Sequence, residues 1–124
     1  MVDFKNAAFL KLKAVNNDEG TKAVNMMLIE GEFVFAAFKT VRDMVVFTNK
    51  RIISINVQGI TGTKKDYTSL PYSKIQAFSV ETSGVADLDS ELEVWFSSVG
   101  KVKFEFKSNF NIAEFNKMLS HYIL

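Results

Sequence analysis

The fold is decided by residues 91–107, which read ELEVWFSSVGKVKFEFK. Apolar and polar side chains alternate on both sides of a Ser-Ser-Val-Gly segment, and this period of two is typical of strands that bury one face. The predicted buried face consists of Leu92, Val94, Phe96, Val102, Phe104 and Phe106. The pattern therefore predicts a β-hairpin whose outer face carries mainly lysine and glutamate side chains.

The loop of this hairpin sets the register of its two strands. A slip of one residue would move every apolar side chain to the outer face, so we predict a three-residue loop that pairs Phe96 with Val102. Gly100 is expected to supply the left-handed backbone position that such loops require. In this register Trp95 points outward, across from Lys103. Two interpretations of Trp95 stay open, namely a cation–π contact with Lys103 and an anchor in a protein interface.

The segment that precedes this hairpin is predicted to be an antiparallel meander of short strands. The strands are expected at residues 32–39, 44–48, 52–57, 67–72 and 75–82. A tight turn at residues 49–50 would pair Val46 with Ile53. Beyond the late hairpin, a stripe of apolar residues predicts an amphipathic helix.

The first 30 residues are predicted to be mainly helical. Apolar residues between Phe4 and Val15 recur at a helical spacing, although residues 10–13 alternate like a strand. A second helix is expected to begin at a cap formed by residues 17–18 and to end near Gly31. The predicted architecture is a single mainly-β domain with helices (α+β) over residues 1–124, consisting of a helical segment over 1–30, an antiparallel β-barrel or sandwich over 32–107 and a C-terminal helix over 111–124.

Composition excludes several classes of function. The chain has 124 residues, the length of one domain, and it lacks cysteine, so disulfides, thiolate zinc sites and a thiol nucleophile are excluded. Its net charge of +1 does not favour a nucleic-acid partner. The longest apolar stretches fall far short of the roughly 20 residues of a membrane span, and the N-terminus does not resemble a secretory signal. We predict a cytoplasmic protein.

The motifs that commonly carry chemistry are incomplete in this sequence. His121 is the single histidine and lies on the polar face of the last predicted helix. Alternating acidic residues over 87–93 resemble a calcium loop, but that loop requires glycine where Leu92 stands and glutamate where Ser98 stands. The glycines at 59 and 62 are too close together for a phosphate-binding P-loop. We predict no catalytic residue, no metal site and no cofactor, and hence no enzyme.

Two groups of residues are candidates for binding. The stretch 32–38 is apolar on both faces, which is typical of a strand that is covered on both sides or that takes part in an assembly. The candidate interface residues are Trp95, Phe33, Phe35 and Phe38. The candidate anion-binding residues are Lys50, Arg51, Lys64 and Lys65, provided that their loops lie at one end of the fold.

Several stretches from residue 18 to the C-terminus resemble bacterial pleckstrin-homology (PH)-like domains. They are FTNKRII at 47–53, AFKTVRD at 37–43, LPYSKI at 70–75, FSVET at 78–82 and DLDSEL at 87–92. The resemblance implies a bent barrel of about seven strands that is capped by the C-terminal helix. It also implies ring-shaped homo-oligomers and a family whose function is largely uncharacterised. The alternating basic pair of phosphoinositide-binding relatives is absent, because Asp43 and apolar residues follow Arg42.

These observations favour a non-catalytic binding or assembly module that self-associates into a homo-oligomer. Its expected partners are copies of itself or another protein, and no nucleic acid is expected. The alternative hypothesis is peripheral binding of anionic lipid or phosphate groups at a membrane surface through the four basic residues named above.

Overall fold

The computed structural model describes residues 1–108 and 110–124. Its strands are β1 (Ala8–Val15), β2 (Val34–Lys39), β3 (Met44–Thr48), β4 (Arg51–Gln58), β5 (Lys64–Pro71), β6 (Ile75–Glu81), β7 (Ser90–Phe96) and β8 (Gly100–Phe106). Its helices are α1 (Asn17–Val24) and α2 (Ile112–Ile123), with short 3₁₀ helices at Asn25–Met27 and Tyr72–Lys74. The chain divides into two compact units, one formed by residues 1–2 and 13–71 and the other by residues 3–12 and 72–124.

The first unit is an antiparallel meander that is covered by α1. The end of β1 pairs with β2, and β2 to β5 follow one another in order. The predicted pairing of Val46 with Ile53 is confirmed. These two side chains lie in a core cluster with Val24 of α1 and Ala37 of β2. The opposite face is also buried and contains Val45, Phe47, Ile52 and Phe38.

The second unit joins the start of β1 to the late hairpin. Ala8 and Phe9 of β1 pair in parallel with β8, while β8, β7 and β6 are antiparallel. The predicted C-terminal helix is confirmed. Its first turn is capped by Asn111, whose side-chain oxygen accepts a hydrogen bond from the Glu114 N–H at 3.1 Å. It packs on the sheet through Phe115, whose ring centroid lies 5.5 Å from that of Phe106.

The register predicted for the late hairpin is wrong by two residues. Phe96 pairs with Gly100 and Val94 with Val102, so the loop consists of residues 97–99. A shift of two residues leaves every side chain on its predicted face, and for this reason alternation alone does not distinguish the two registers. The loop residue with a left-handed backbone is Ser98, at φ 66°, whereas Gly100 lies in the ladder at φ 135°.

Gly100 is required by a close backbone approach as well as by its backbone conformation. A Cβ atom at this position would lie 2.7 Å from the carbonyl oxygen of Phe4. The ring of Phe4 packs edge-on against Phe96, with 6.0 Å between the centroids. The glycine therefore lets the N-terminal segment lie against the hairpin of the second unit.

The helix predicted over residues 4–15 is wrong, because residues 4–7 are not helical and residues 8–15 form β1. Phe9 and Leu12 are both buried although three positions separate them, because a bulge lies between them and Lys11 adopts φ 57°. A bulge adds one residue to a strand and shifts its phase, so the buried residues of β1 do not follow a simple period of two. With β1 included, residues 1–108 and 110–124 form eight strands rather than about seven. The second predicted helix is confirmed as α1, but it is capped by Asn16 rather than by residues 17–18. It also ends at Val24 instead of near Gly31, and a short 3₁₀ helix over Asn25–Met27 follows it.

Replacing Gly20 by alanine tests the contact between α1 and β2. Alanine in a helix interior normally stabilises it by about 1 kcal/mol relative to glycine, but here the added Cβ would lie 2.5 Å from the Cβ of Ala37. Overpacking of this kind costs about 1–3 kcal/mol, so we expect Gly20→Ala to lower the free energy of unfolding in urea. The exposed Lys22→Ala variant on the same helix is the control and should change it by less than about 0.5 kcal/mol. A Gly20→Ala variant more stable than the wild type would contradict the close contact.

Candidate functional site

The outer face of the late hairpin carries a cleft beside Trp95. In the β6–β7 register Ala77 lies opposite Trp95 and Ser79 opposite Glu93. Because these two β6 side chains are small, they leave an open cleft of about 120 Å³ next to the indole. Its lining consists of Ala77, Phe78, Ser79, Glu93, Val94, Trp95 and Lys101. Trp95 is 49% exposed, so this face presents a large aromatic surface to a ligand or partner.

The charged residues around Trp95 are paired with one another. The lysine across from Trp95 is Lys101, not Lys103 as predicted. Lys101 Nζ lies 3.4 Å from Glu93 Oε1, and Lys103 Nζ lies 3.4 Å from Glu91 Oε1. These cross-strand pairs balance the charge of the face, so apolar contact is the main interaction that the indole offers.

Strand β6 forms an open edge of the second unit. Among the described residues it pairs with β7 alone. Its inward-facing Phe78 and Val80 are only half-buried, whereas Val94 and Leu92 opposite them are fully buried. An unpaired edge presents a row of free N–H and C=O groups that can accept a further strand. The open edge and the Trp95 cleft are therefore adjacent.

The three candidate phenylalanines of the first unit differ in their burial. Phe33 is 51% exposed, and its backbone is held by Asn49, whose side-chain oxygen accepts a hydrogen bond from the Phe33 N–H at 2.9 Å. Phe35 is half-buried, with its ring 6.3 Å from that of Phe47. Phe38 is only 2% exposed and packs edge-on against Phe47 at 5.7 Å, so its ring belongs to the core of this unit.

The guanidinium of Arg51 is already hydrogen-bonded to other groups of the protein. Its Nε and Nη2 atoms donate to Glu32 at 2.9 and 3.0 Å. Its guanidinium also donates to Ser69 Oγ at 3.0 Å and to the Met27 carbonyl at 2.7 Å. A guanidinium engaged in this way has little capacity left for an external anion. Arg51 therefore stabilises the fold rather than an anion site.

The Glu32 carboxylate at the centre of this network is fully buried as a side chain. Burial acts to raise the pKa of Glu32, but hydrogen bonds from Arg51, Thr48 and the Ile29 N–H outweigh it and hold the pKa below its ordinary value. Thr48 Oγ1 donates to Glu32 Oε2 at 2.7 Å, and the Ile29 N–H donates to Oε1 at 3.1 Å. The network fastens the loop before β2 to the β3–β4 turn.

The remaining three basic candidates do not lie together. Lys50 lies in the turn that precedes β4, whereas Lys64 and Lys65 pair with the last two residues of β4. The eight residues of β4 separate these positions by roughly 23 Å at about 3.3 Å per residue. The four predicted anion-binding residues therefore do not form one patch.

Sequence reasoning missed an exposed surface near Lys64 and Lys65. Val41 in the β2–β3 loop and Ile60 in the β4–β5 loop are both fully exposed, at 101% and 103%. Arg42 holds the two loops together by donating a hydrogen bond to the Gly59 carbonyl. The available signal was an aliphatic residue at the tip of each predicted loop. We call the group Val41, Arg42, Ile60, Lys64 and Lys65 the loop surface.

His121 and Asp89 are the titratable residues that remain from the incomplete motifs of the sequence. His121 is exposed on α2, and Asp89 forms an ion pair with Lys11. In the part of the chain that the structure describes, no group of three or more His, Asp or Glu side chains is placed to hold a metal ion. No helix among the same residues is both long and apolar enough to span a membrane.

The depressed pKa of Glu32 predicts a pH-dependent contribution to stability. A carboxylate whose pKa is lower in the folded than in the unfolded state stabilises the fold above its unfolded pKa of about 4.3 and loses this contribution as the pH falls through the folded value. We expect Glu32→Gln to lower the free energy of unfolding by about 1–3 kcal/mol at pH 7, and the difference from the wild type to shrink below about pH 4. Urea unfolding between pH 7 and pH 3 measures it. The exposed Glu30→Gln variant is the control, and a pH-independent difference for Glu32→Gln would contradict the assignment.

Comparison with known proteins shows where this architecture occurs. The family model described as "Bacterial PH domain" matches residues 3–123. A Bacillus subtilis relative, "Uncharacterized protein YjqA", is 45% identical over 117 residues, which cover 93% of this chain and 90% of that protein.

Solved structures agree with the family match. The crystal structure of a DUF1696 family protein with a pleckstrin-homology domain, from Shewanella loihica, is 36% identical, with a TM-score of 0.80 over 94% of this chain and all of the other. A pleckstrin homology domain from Shewanella amazonensis is 37% identical, with a TM-score of 0.66 over 89% and 90% of the two chains. The predicted PH-like fold is confirmed, and the chain belongs to the bacterial PH domain family.

Proposed function

We propose that this chain is a non-catalytic binding module that assembles with copies of itself. The observation that carries the proposal is the open edge of β6 beside the Trp95 cleft. The edge offers backbone hydrogen bonds, and the cleft offers apolar contact around a half-exposed indole. Addition of a strand to an exposed edge uses both, because the backbone supplies affinity and neighbouring side-chain pockets supply specificity.

The other edge strand of the chain is less suited to strand addition. In the first unit β5 pairs only with β4 among the described residues, but it begins with Lys64 and Lys65 and ends with Pro71. Lysine and proline on an edge strand discourage further pairing. By contrast, β6 contains no proline and has a single charge, at its last residue, Glu81. The edge of β6 is therefore the better candidate for association.

The acidic residues that an enzymatic hypothesis would use have structural partners. Asp89 pairs with Lys11, Glu91 pairs with Lys103, and the Asp87 carboxylate accepts a hydrogen bond from the Asp89 N–H at 3.0 Å. A general acid or base needs a pocket and a pKa suited to its task. These partners favour a binding role over a catalytic one.

Light scattering coupled to size exclusion tests self-association. The wild type is expected to show a mass above the 14.0 kDa of one chain at micromolar concentration. Trp95→Glu should return the mass to that of a monomer, because a charge would replace the aromatic surface of the cleft. Met118, which is 42% exposed on α2 of the same unit, offers the control Met118→Glu, which should assemble like the wild type. A wild type that stays monomeric throughout would end the proposal.

A second candidate function is contact with an anionic membrane through the loop surface. This surface combines two fully exposed aliphatic side chains with three exposed basic residues. Its acidic neighbour Asp43 is engaged, because its carboxylate accepts a hydrogen bond from the Val57 N–H at 2.9 Å. Aliphatic tips that enter the headgroup region and cations that attract anionic lipids are the usual elements of peripheral binding.

Vesicle co-sedimentation tests the second candidate. We expect binding to vesicles of phosphatidylcholine with phosphatidylglycerol, little binding to phosphatidylcholine alone, and release at high salt. Val41→Asp with Ile60→Asp, and separately Lys64→Glu with Lys65→Glu, should each abolish binding. Val85, which is 102% exposed, provides the control Val85→Asp, and Lys50→Glu is the charge control. An equal loss of vesicle binding in the control variants, or no binding of the wild type at low salt, would rule out this function.

A further inference from the structure

The size of the Trp95 cleft restricts the kind of ligand that it can hold. Its volume is about 120 Å³, whereas sites for drug-sized molecules usually measure about 300–1,000 Å³. The space exists because Ala77 and Ser79 are small where they lie opposite Trp95 and Glu93. The cleft therefore fits one compact chemical group rather than a nucleotide or another large cofactor.

The cross-strand ion pairs of β7 and β8 leave one negative charge over on β6. Glu81 lies opposite Glu91 in the β6–β7 register, and like charges in this arrangement repel each other. Lys103 is paired with Glu91 at 3.4 Å, whereas the exposed Glu81 forms no ion pair with any residue that the structure describes. Glu81 follows Ser79 by two residues, or roughly 7 Å along a strand. The field at the cleft therefore favours a cation.

A carboxylate oxygen is also left open in the wall of the cleft. Glu93 lines the cleft, and its Oε1 atom lies 3.4 Å from Lys101 Nζ. Its Oε2 atom makes no hydrogen bond or ion pair with a described residue. The Lys101 side chain is 56% exposed, and an ion pair that is exposed to water holds its partners only weakly. Glu93 can therefore interact with a second cation that enters from the β6 side.

The rest of the lining decides which cation fits best. Trp95 is 49% exposed, and the indole face is the aromatic surface that attracts cations most strongly. A primary ammonium or a guanidinium would need several hydrogen-bond acceptors, but beside Glu93 only the Ser79 hydroxyl offers one among the lining side chains. A quaternary ammonium has no N–H group to satisfy. Its methyl groups can contact Ala77 and the indole while its charge interacts with the ring and with Glu93.

We propose that the Trp95 cleft binds the trimethylammonium group of a small organic cation. Trp95 supplies the aromatic face, Glu93 supplies the opposite charge, and Ala77 leaves the space for the methyl groups. The proposal goes beyond self-association and does not depend on it, because every residue that it uses belongs to one chain. A monomeric protein would bind the cation equally well.

Tryptophan fluorescence measures this binding directly. Trp95 is the single tryptophan of the chain, so its emission reports on the cleft alone. Choline chloride, titrated at constant ionic strength against sodium chloride, should change the emission saturably with a dissociation constant of about 1–10 mM. The neutral isostere 3,3-dimethyl-1-butanol has the same shape without the charge and should bind about tenfold more weakly. No saturable change with choline, or an equal affinity for the isostere, overturns the proposal.

Filling the cleft tests its location without removing the indole or the carboxylate. Ala77→Leu places a larger side chain where the methyl groups would lie, so it should abolish the response to choline. The matched control is Ala113→Leu, at an exposed position on α2 of the same unit, which should bind choline like the wild type. An Ala77→Leu protein that binds choline with unchanged affinity overturns the assignment to this cleft.

Two charge variants move the affinity in opposite directions. Glu93→Gln should weaken choline binding about threefold and leave binding of the neutral isostere unchanged, because it removes only the charge of the wall. Lys101→Met keeps most of the alkyl stem but removes the ammonium that competes for Glu93, so it should strengthen choline binding about threefold. Glu30→Gln, at an exposed glutamate of the other unit, is the control and should change nothing. Weaker binding in Lys101→Met, or unchanged binding in Glu93→Gln, overturns the electrostatic assignment.

Discussion

The constraint on which the functional interpretation depends is that strand backbone groups need hydrogen-bond partners. Inside the second unit this need is met, because β7 lies between β6 and β8 and its side chains Leu92 and Val94 are fully buried. At the outer edge of β6 no further strand among the described residues meets this need, and apolar side chains there remain half-exposed. Natural proteins usually block such an edge with charge, proline or a covering segment. Before its last residue β6 contains neither charge nor proline, so its edge has none of the side chains that usually block a further strand.

The need of polar groups for partners also divides the basic residues into two classes. Arg51 was a reasonable anion-binding candidate by type, but it compensates the buried carboxylate of Glu32 and donates to Ser69 and Met27 as well. Removing a charge from a buried pair leaves the other charge uncompensated, so the role of Arg51 is to stabilise the fold. Lys64 and Lys65 have exposed side chains and remain available to solvent and to anions. Arg51 differs from the two lysines because its partner, Glu32, is buried, and not because arginine differs from lysine.

Much of the fold was predictable because strand alternation is a local property. The faces of β7 and β8, the Val46–Ile53 pairing and the amphipathic C-terminal helix all follow from the spacing of apolar residues. The exact register of the β7–β8 hairpin was not predictable, since a shift of two residues leaves every side chain on the same face of the sheet. The strand character of residues 8–15 was hidden by the bulge at Lys11, which replaced the period of two by a spacing of three. Of the candidate site, Trp95 was found as an outward aromatic residue, but its cleft depends on small residues of β6 that are distant in sequence.

The sequence alone determined the mainly-β class with helices, the identity of most strands, the outward position of Trp95 and the lack of cysteine chemistry. These features depend on residue type and on the periodicity of neighbouring residues, which are present in the chain before it folds. The tertiary structure decided that Phe38 is a core residue, that Arg51 is occupied, that Lys50 lies far from Lys64, and that β6 ends a sheet. Each of these facts depends on which segments become neighbours after folding. Pairings between segments distant in sequence set both burial and open edges, and no local pattern contains them.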